Sequence, residues 1–196
     1  MNTGLTVRLA TPADAPAVAR LHAELISEGF LVALGRPFLE RLYRRVTRSE
    51  RCFIVVGVAG DAVHGFVAVA EDTSRLYREF LWRDGVIAGA RAAGAVIRHP
   101  RKVFETLRHG MGNAAGVAGA EILAVAVASA TRGRGVGAAL VAAAVDELRR
   151  RGIREAHVVT AVDNEAARRT YLRCGFEPRA TVEVHRGVPQ ELFVWH

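Results

Sequence analysis

Several residue types that would mark a special class of protein are scarce in this chain of 196 residues. Only two cysteines occur, Cys52 and Cys174, which excludes a disulfide framework and indicates a reducing compartment. The longest apolar stretch, 86–97, has about 12 residues and contains Arg91, whereas a membrane-spanning helix needs ~20 apolar residues. The first residues lack a basic run followed by an apolar core, so we expect no export signal and a cytoplasmic location.

Lysine is nearly missing as well, since Lys102 is the only one and arginine supplies the other Lys/Arg charges. Such a bias also arises from the nucleotide composition of a gene. The net charge of +7 is therefore weak evidence for a nucleic-acid partner, and we expect none. The seven histidines are scattered without the spacing of metal ligands, so we predict no metal site.

Length and periodicity predict one α/β (α+β) domain over residues 1–196. With 51% hydrophobic residues, the chain is long enough for one full core and short for two. The apolar spacing predicts the order β-α-α-β-β-(helical insertion)-β-α-β-α-β-β. Predicted strands lie at 5–9, 53–58, 63–70, 121–128, 157–162, 181–185 and 191–195; predicted helices lie at 12–27, 37–46, 165–173 and from the loop at 132–137 to about 151.

The segment at about 74–119 is predicted to be a helical insertion that ends in a Gly/Ala-rich linker at 110–119. Eight of its residues are basic and three are acidic, an excess of +5 within the net charge of +7. This distribution says more than the total charge, because it concentrates positive potential in less than a quarter of the chain. It favours a negatively charged partner at this segment.

The most informative feature is the junction between the apolar strand at 121–128 and the next helix. Its sequence is Arg132-Gly133-Arg134-Gly135-Val136-Gly137. Three glycines in five positions permit a tight turn with exposed backbone amides, and the following helix start adds N–H groups and a positive dipole end. Two arginines supply charge and forked donors. The loop suits a pyrophosphate, although a simple Gly-rich turn into a surface helix would have the same composition.

Two nucleotide-binding motifs compete for this loop. A Walker A motif is excluded because no Gly-Lys-Ser/Thr follows the glycines. The Rossmann pattern G-x-G-x-x-A fits Gly133, Gly135 and Ala138. That loop, however, follows the first strand of a large sheet, and here too little chain remains to build the dinucleotide-binding half.

A third pattern, Arg/Gln-x-x-Gly-x-Gly/Ala, is carried by Arg132, Gly135 and Gly137, and it resembles the GNAT superfamily of acyl-CoA-dependent N-acetyltransferases. A second segment strengthens the resemblance: Asn164 opens a helix, Tyr171 follows seven residues later, and Gly-Phe comes at 175–176. A helix and a strand separate the two motifs, as in that family. The resemblance covers the chain except for about residues 74–119.

The resemblance implies the acyl-CoA N-acyltransferase fold: a mixed, mostly antiparallel sheet of about seven strands, with helices on both faces. The strands at 121–127 and 157–162 should run parallel and splay apart, and the pantetheine arm of acetyl-CoA should enter the gap. Backbone amides near Val125 and Val127 should bind the thioester oxygen and the pantetheine. The residues expected to hold acetyl-CoA are Val125, Ala126, Val127, Arg132, Gly133, Arg134, Gly135, Val136, Gly137, Ala138, Asn164 and Ala167.

Side-chain size alternates along the strand at 121–128. Ala124, Ala126 and Ala128 alternate with the larger Leu123, Val125 and Val127. The alternation predicts one face of small side chains, as a gap for a ligand would require. Close packing against a helix would explain the pattern equally well.

Two residues are the candidates for catalysis. Glu121 is the lone acid on an apolar strand and stands eleven residues before Arg132, a spacing similar to that of the glutamate base in histone-acetylating members. Two alternatives remain: Glu121 is a solvated residue at the strand start without a catalytic role, or a water chain or a residue elsewhere is the base. Tyr171 shares a helical face with Asn164 and Ala167, and the resemblance makes it the hydrogen-bond partner or acid for the CoA sulfur, although core packing would also explain it.

The sequence therefore predicts an acyltransferase that moves an acetyl group from acetyl-CoA to a primary amine by direct attack. Cys174 is expected to pack in the interior, because no His/Asp arrangement supports an acyl-cysteine. Two alternatives remain open, a non-catalytic acyl-CoA-binding domain and an acetyltransferase of protein or aminoacyl-RNA amines. We expect a small-molecule amine as the partner, and a homodimer stays open. Three roles remain open for the insertion at 74–119: a substrate lid, a dimer contact or a membrane-surface face.

Overall fold

The computed structural model of the protein describes residues 4–26, 32, 35–73, 75–76, 117, 119–185 and 188–196. The helical insertion predicted at 74–119 lies almost entirely outside these residues. The strands are β1 (Thr6–Leu9), β2 (Cys52–Ala59), β3 (Ala62–Ala70), β4 (Ala120–Val127), β5 (Ala156–Ala161), β6 (Glu177–His185) and β7 (Val188–Trp195). The helices are α1 (Ala15–Leu25), α2 (Arg36–Val46), α3 (Val136–Arg150) and α4 (Glu165–Arg173), with 3-10 turns at Pro12–Asp14 and Ser129–Thr131.

The seven strands form one sheet in the order β1-β2-β3-β4-β5-β7-β6. All neighbours are antiparallel except β4 and β5, which are parallel. The predicted fold class, a mixed and mostly antiparallel sheet with helices on both faces, is confirmed. The parallel pairing joins only Ala120 with Ala156 and Glu121 with His157, so β4 and β5 separate after two residues.

The close approach of β4 to β5 depends on Gly119. Its backbone has φ +99°, and a Cβ there would lie 2.5 Å from the carbonyl oxygen of Glu155. The next amide, that of Ala120, donates to the same oxygen at 2.9 Å. Only glycine satisfies both the left-handed conformation and the contact, so this residue sets the point from which the two strands diverge.

A β-bulge interrupts β4. Ala68 pairs with Ala124 but Val69 pairs with Ile122, so Leu123 is an extra residue on the bulged strand. The extra residue shifts the alternation. Ile122, Val125 and Val127 pack on the α3 side, whereas Leu123 packs with the small residues Ala124, Ala126 and Ala128 on the α1 side. The prediction that Leu123 shares a face with Val125 and Val127 is therefore wrong.

The sheet separates two hydrophobic layers. On one face α1 and α2 cover Phe66, which has no exposed surface, together with Leu39 and Ile54. On the other face α3 and α4 cover Phe176 and Phe193, which are also buried. Each such side chain contributes about 1.5–3 kcal/mol by leaving water, so burial on both faces holds the sheet against its helices.

The first helix begins as its sequence predicts. The backbone amide and hydroxyl of Thr11 both donate to Oδ2 of Asp14, at 2.7 and 3.0 Å. The Arg8 guanidinium donates to both oxygens of the same carboxylate at 2.8 and 2.9 Å and lowers the pKa of Asp14 to about 2. The ion pair ties β1 to the start of α1, and thereby fixes the helix whose other end reaches the cleft described below.

The last two strands begin earlier than predicted. β6 begins at Glu177 instead of 181, and β7 begins at Val188 instead of 191. Prolines at the second position of each strand, Pro178 and Pro189, explain the error. β6 lies at the sheet edge, and each proline stands at a register shift of the β6–β7 ladder, where a missing N–H is tolerated. The carbonyl of Pro189 even accepts a hydrogen bond from the amide of Val162 at 3.4 Å.

Candidate active site

A cleft of about 850 Å³ opens where β4 and β5 diverge. Its walls are β4, β5, the loop before α3, the cleft-facing side of α4 and the end of α1. Most predicted cofactor-binding residues meet here. The lining residues among them are Val125, Ala126, Val127, Arg132, Gly133, Gly135, Val136, Gly137, Ala138, Asn164 and Ala167, together with Tyr171. Arg134 is exposed on the same loop and is not part of the lining.

Backbone groups of β4 face the cleft. The amide of Ala128 donates to the carbonyl of His64 on the β3 side at 2.7 Å. Because antiparallel hydrogen bonding alternates, the amides of Val125 and Val127 point to the opposite edge, where β5 has moved away. The carbonyl of Val127 on that edge accepts from Nε of Arg132 at 3.0 Å. This edge therefore presents amide donors to a ligand that lies between the strands.

The glycine loop has the backbone that its sequence predicts. Gly133 and Gly135 have φ values of +75° and +78°, a left-handed conformation that L side chains rarely adopt. The first helical hydrogen bond of α3 runs from Ala139 to the carbonyl of Gly135 at 3.0 Å. The amides of the three preceding residues, 136–138, therefore have no partner within the helix and point toward the cleft end. The chemistry of this arrangement suits a phosphate.

The glycine at position 137 has a different structural reason from those at 133 and 135. Its φ is not positive, and a Cβ would make only ordinary contacts, the nearest being Cγ2 of Val127 at 3.7 Å. Neither backbone strain nor lack of space demands glycine here. A side chain at 137 would instead stand between the helix N-terminus and the cleft, where it would meet a bound anion.

Helix α4 contributes a cap and a buried phenol. Oδ1 of Asn164 accepts from the amide of Ala167 at 3.2 Å, so Asn164 is the helix cap. Tyr171 is 4% exposed, and its ring packs on Phe176 and Phe193 with centroids 5.8 and 5.7 Å away. Burial raises the pKa of Tyr171 well above its ordinary value. Its hydroxyl thus keeps its proton, and it makes no hydrogen bond to any residue that the structure describes.

Glu121 lies at the floor of the divergence. It is half-buried beside His157, its partner in the last parallel pair, and immediately precedes the cleft-lining part of β4. Its Oε2 accepts from Oγ1 of Thr73 at 2.5 Å. Glu121 itself is not among the cleft-lining residues. The structure therefore brings it next to the gap, on the face of the sheet that α1 covers.

Several residues at the cleft were not predicted from the sequence. Arg169 and Arg173 stand four residues apart on α4 and add two exposed cations to the lining. Their i,i+4 spacing within the second motif was the available signal. Leu25 and Ile26, at the end of α1, close the opposite side of the cleft. No sequence signal marks these two, because their position depends on how α1 crosses the sheet.

The thiol of Cys174 is only partly buried, although it packs against the hydrophobic layer on the α3 side. Sγ of Cys174 donates to the carbonyl of Ala138 at 3.5 Å. Burial raises the pKa of this thiol, which disfavours the thiolate that a nucleophile requires. Within the described part of the chain, no cluster of three metal-ligating side chains occurs, and no helix there is long and apolar enough to cross a membrane.

The sheet that opens between two parallel strands, above a glycine loop and a helix N-terminus, defines an acyl-CoA N-acyltransferase fold. The chain belongs to the acetyltransferase (GNAT) family, whose model matches residues 20–176, and it is therefore an acyltransferase. No curated protein matches the sequence.

Solved structures agree in fold at low sequence identity. A GCN5-related N-acetyltransferase from Kribbella flavida is 22% identical, with a TM-score of 0.66 and coverage of 99% of this chain and 98% of that one. Ribosomal-protein-alanine N-acetyltransferase from Brucella melitensis is 18% identical, with a TM-score of 0.62 and coverage of 96% and 98%. A Salmonella typhimurium acetyltransferase structure with its cofactor acetyl-CoA is 17% identical, with a TM-score of 0.64 and coverage of 99% and 94%.

A charge at position 137 tests the loop as the phosphate site. Gly137→Asp should fold normally, because the Cβ has room, but should weaken CoA binding by at least about tenfold, or ~1.4 kcal/mol. Gly137→Asn is the matched control of equal size, and it should lose less affinity because it adds no charge. Calorimetric titration with CoA at low and high salt measures both effects, and the Asp penalty should shrink at high salt. Equal affinities of wild type and Gly137→Asp would contradict the site.

Proposed function

We propose that the protein transfers the acetyl group of acetyl-CoA to a primary amine by direct attack, without an acyl-enzyme. The observation that carries this proposal is the convergence of free backbone amides from β4 and from the start of α3 on one cleft. Acetyl-CoA supplies the thioester carbonyl that the amine attacks and the thiolate that leaves. The chain's own residues bind, orient and move protons.

Binding uses the two groups of amides in different ways. The amides of residues 136–138, with Arg132 beside them, suit the pyrophosphate. The amides of Val125 and Val127 suit the thioester oxygen and the pantetheine chain, since they face the gap between the strands. Donors fixed in a sheet cost no reorganisation when charge develops on the carbonyl oxygen, which is the property that lowers a barrier.

Glu121 is the proposed base. A neutral amine is needed for attack, and a carboxylate at the floor of the gap accepts the proton that the amine loses. No other carboxylate of β4 competes, because the rest of the strand is apolar. The thiol of Cys174 is kept protonated by burial and plays no covalent part.

Tyr171 is the proposed acid. Its phenol keeps its proton, lines the cleft and is free of hydrogen bonds to the described residues. Such a group donates a hydrogen bond to the sulfur as the C–S bond breaks, or passes its proton to the thiolate and regains one from solvent. The ring packing against Phe176 and Phe193 holds the hydroxyl in place through the reaction.

The proposed acceptor is a small amine that carries negative charge. The sequence supports this with the basic excess at 74–119. The described residues add α2, which carries Arg36, Arg41, Arg44 and Arg45 against Glu40 and packs against α1, whose end closes the cleft. A protein amine is the second candidate, favoured by the similarity to ribosomal-protein-alanine N-acetyltransferases from Brucella melitensis and Escherichia coli. Thiol release from acetyl-CoA over a panel of amines and N-terminal peptides separates the two.

Replacing the proposed base tests the chemistry. Glu121→Gln keeps the size and an oxygen that can accept from Thr73, so the fold and CoA affinity should stay near wild type. Turnover should fall by about 10²–10⁴-fold, and the acidic limb of the pH–rate profile should flatten. Glu177→Gln removes an exposed carboxylate at the start of β6 and should change neither. A loss of less than about threefold in Glu121→Gln would place the base elsewhere.

The proposed acid has a matched control in Tyr43, which is also buried. Tyr171→Phe should lower turnover by roughly 10²-fold, the lower end for a general acid, without loss of thermal stability, because its hydroxyl has no partner in the described chain. Tyr43 bonds Nδ1 of His22 at 2.5 Å, so Tyr43→Phe should lower stability by about 1 kcal/mol and leave turnover unchanged. Thermal unfolding and steady-state kinetics measure both. Wild-type turnover in Tyr171→Phe would refute the role.

A further inference from the structure

We propose that Thr73 is a positioning residue for Glu121, which fixes the orientation of its carboxylate. The inference rests on the proposed role of Glu121 as the base. Oγ1 of Thr73 donates to Oε2 of Glu121 at 2.5 Å, across 48 residues of sequence. Distances of 2.5–2.7 Å are typical of a hydroxyl that donates to an ionised oxygen.

Thr73 is itself held in place from two sides. Oδ1 of Asp72 accepts from the amide of Arg75 at 2.9 Å, and the carbonyl of Asp72 accepts from the amide of Leu76 at 3.0 Å. The side chain of Leu76 is 5% exposed and packs in the core layer that α1 and α2 cover. The chain is therefore fixed on both sides of Thr73, by the hydrogen bonds of Asp72 and by the buried side chain of Leu76.

The location gives the hydrogen bond its effect on catalysis. Ala70 pairs with Glu121 at the end of the β3–β4 ladder, and Glu121 pairs with His157 in the last parallel pair. Beyond this point the gap opens, so Glu121 is the last residue of β4 with a strand partner on each side. Thr73 is the one residue in the described chain that bonds to its carboxylate. Without that bond the carboxylate would sample several directions, and only one of them would face the amine.

Other titratable groups share this face of the sheet. His157 comes from β5, Asp72 precedes the threonine, and His22 comes from α1, where burial lowers its pKa to about 4. An effect of Thr73→Val on turnover must therefore be assigned to Glu121 by a second substitution. The Glu121→Gln background provides this assignment, because it retains all three of these groups.

The test compares Thr73→Val, which removes the hydroxyl at equal size, with Thr73→Ser, which retains it. Thr73→Val should lower kcat by about tenfold and leave the KM for acetyl-CoA unchanged, since the carboxylate loses the donor that fixes its orientation. Thr73→Ser should restore kcat to within about twofold. Thr47→Val, which removes a hydroxyl that donates to the carbonyl of Arg44 on α2, should change none of these.

Two measurements separate the failure of this inference from the failure of the proposed function. In the Glu121→Gln background, Thr73→Val should have no further effect on kcat; a full additional tenfold loss would overturn the positioning role. In the free protein labelled with ¹³C-glutamate, the carboxyl resonance missing in Glu121→Gln should change its chemical shift at constant pH in Thr73→Val, because the carboxylate loses its hydrogen-bond donor. Wild-type kcat and an unshifted resonance in Thr73→Val would overturn the inference even if Glu121→Gln is inactive. Wild-type turnover in Glu121→Gln would remove the proposed base and the inference with it.

Discussion

The site depends on one constraint: the parallel ladder between β4 and β5 is only two residue pairs long. Gly119 brings the start of β4 against the carbonyl of Glu155, and the bulge at Leu123 then turns the strand. A longer ladder would use the amides of Val125 and Val127 to pair with β5. Because the strands part, those amides remain as donors on an inner edge of the sheet, and the cleft opens beside them.

Two effects of different strength favour an anion at the loop before α3: hydrogen bonds from the loop amides and the dipole of the helix. Hydrogen bonds to a charged group contribute about 1.5–3 kcal/mol each, whereas a helix dipole contributes about 0.3–1 kcal/mol near a surface. The orientation of the loop amides therefore matters more for anion binding than the dipole of α3. That orientation follows from the left-handed backbone at Gly133 and Gly135. L side chains rarely adopt this conformation, which explains why glycine occupies both positions.

Local chemistry made much of this structure predictable. Residue types at short spacing predict the glycine loop, the Asn164 cap and the order of strands and helices along the chain. All three agree with the part of the chain that the structure describes. The bulge at Leu123 could not be predicted, because valine and alanine suit either face of a strand. Nor could the Thr73 contact with Glu121, which joins residues 48 apart. The early starts of β6 and β7 were missed because prolines near strand ends resemble turn signals.

Amide exchange followed by NMR, with and without saturating CoA, tests the central claim most directly. The amides of Val125 and Val127 should exchange at least about tenfold more slowly with CoA present, as should those of residues 136–138, because each gains an acceptor. The amide of Ala128 is already bonded to His64 on β3 and should change least, so it serves as the internal reference. Unchanged exchange at Val125 and Val127, with CoA bound, would contradict a ligand between the parting strands.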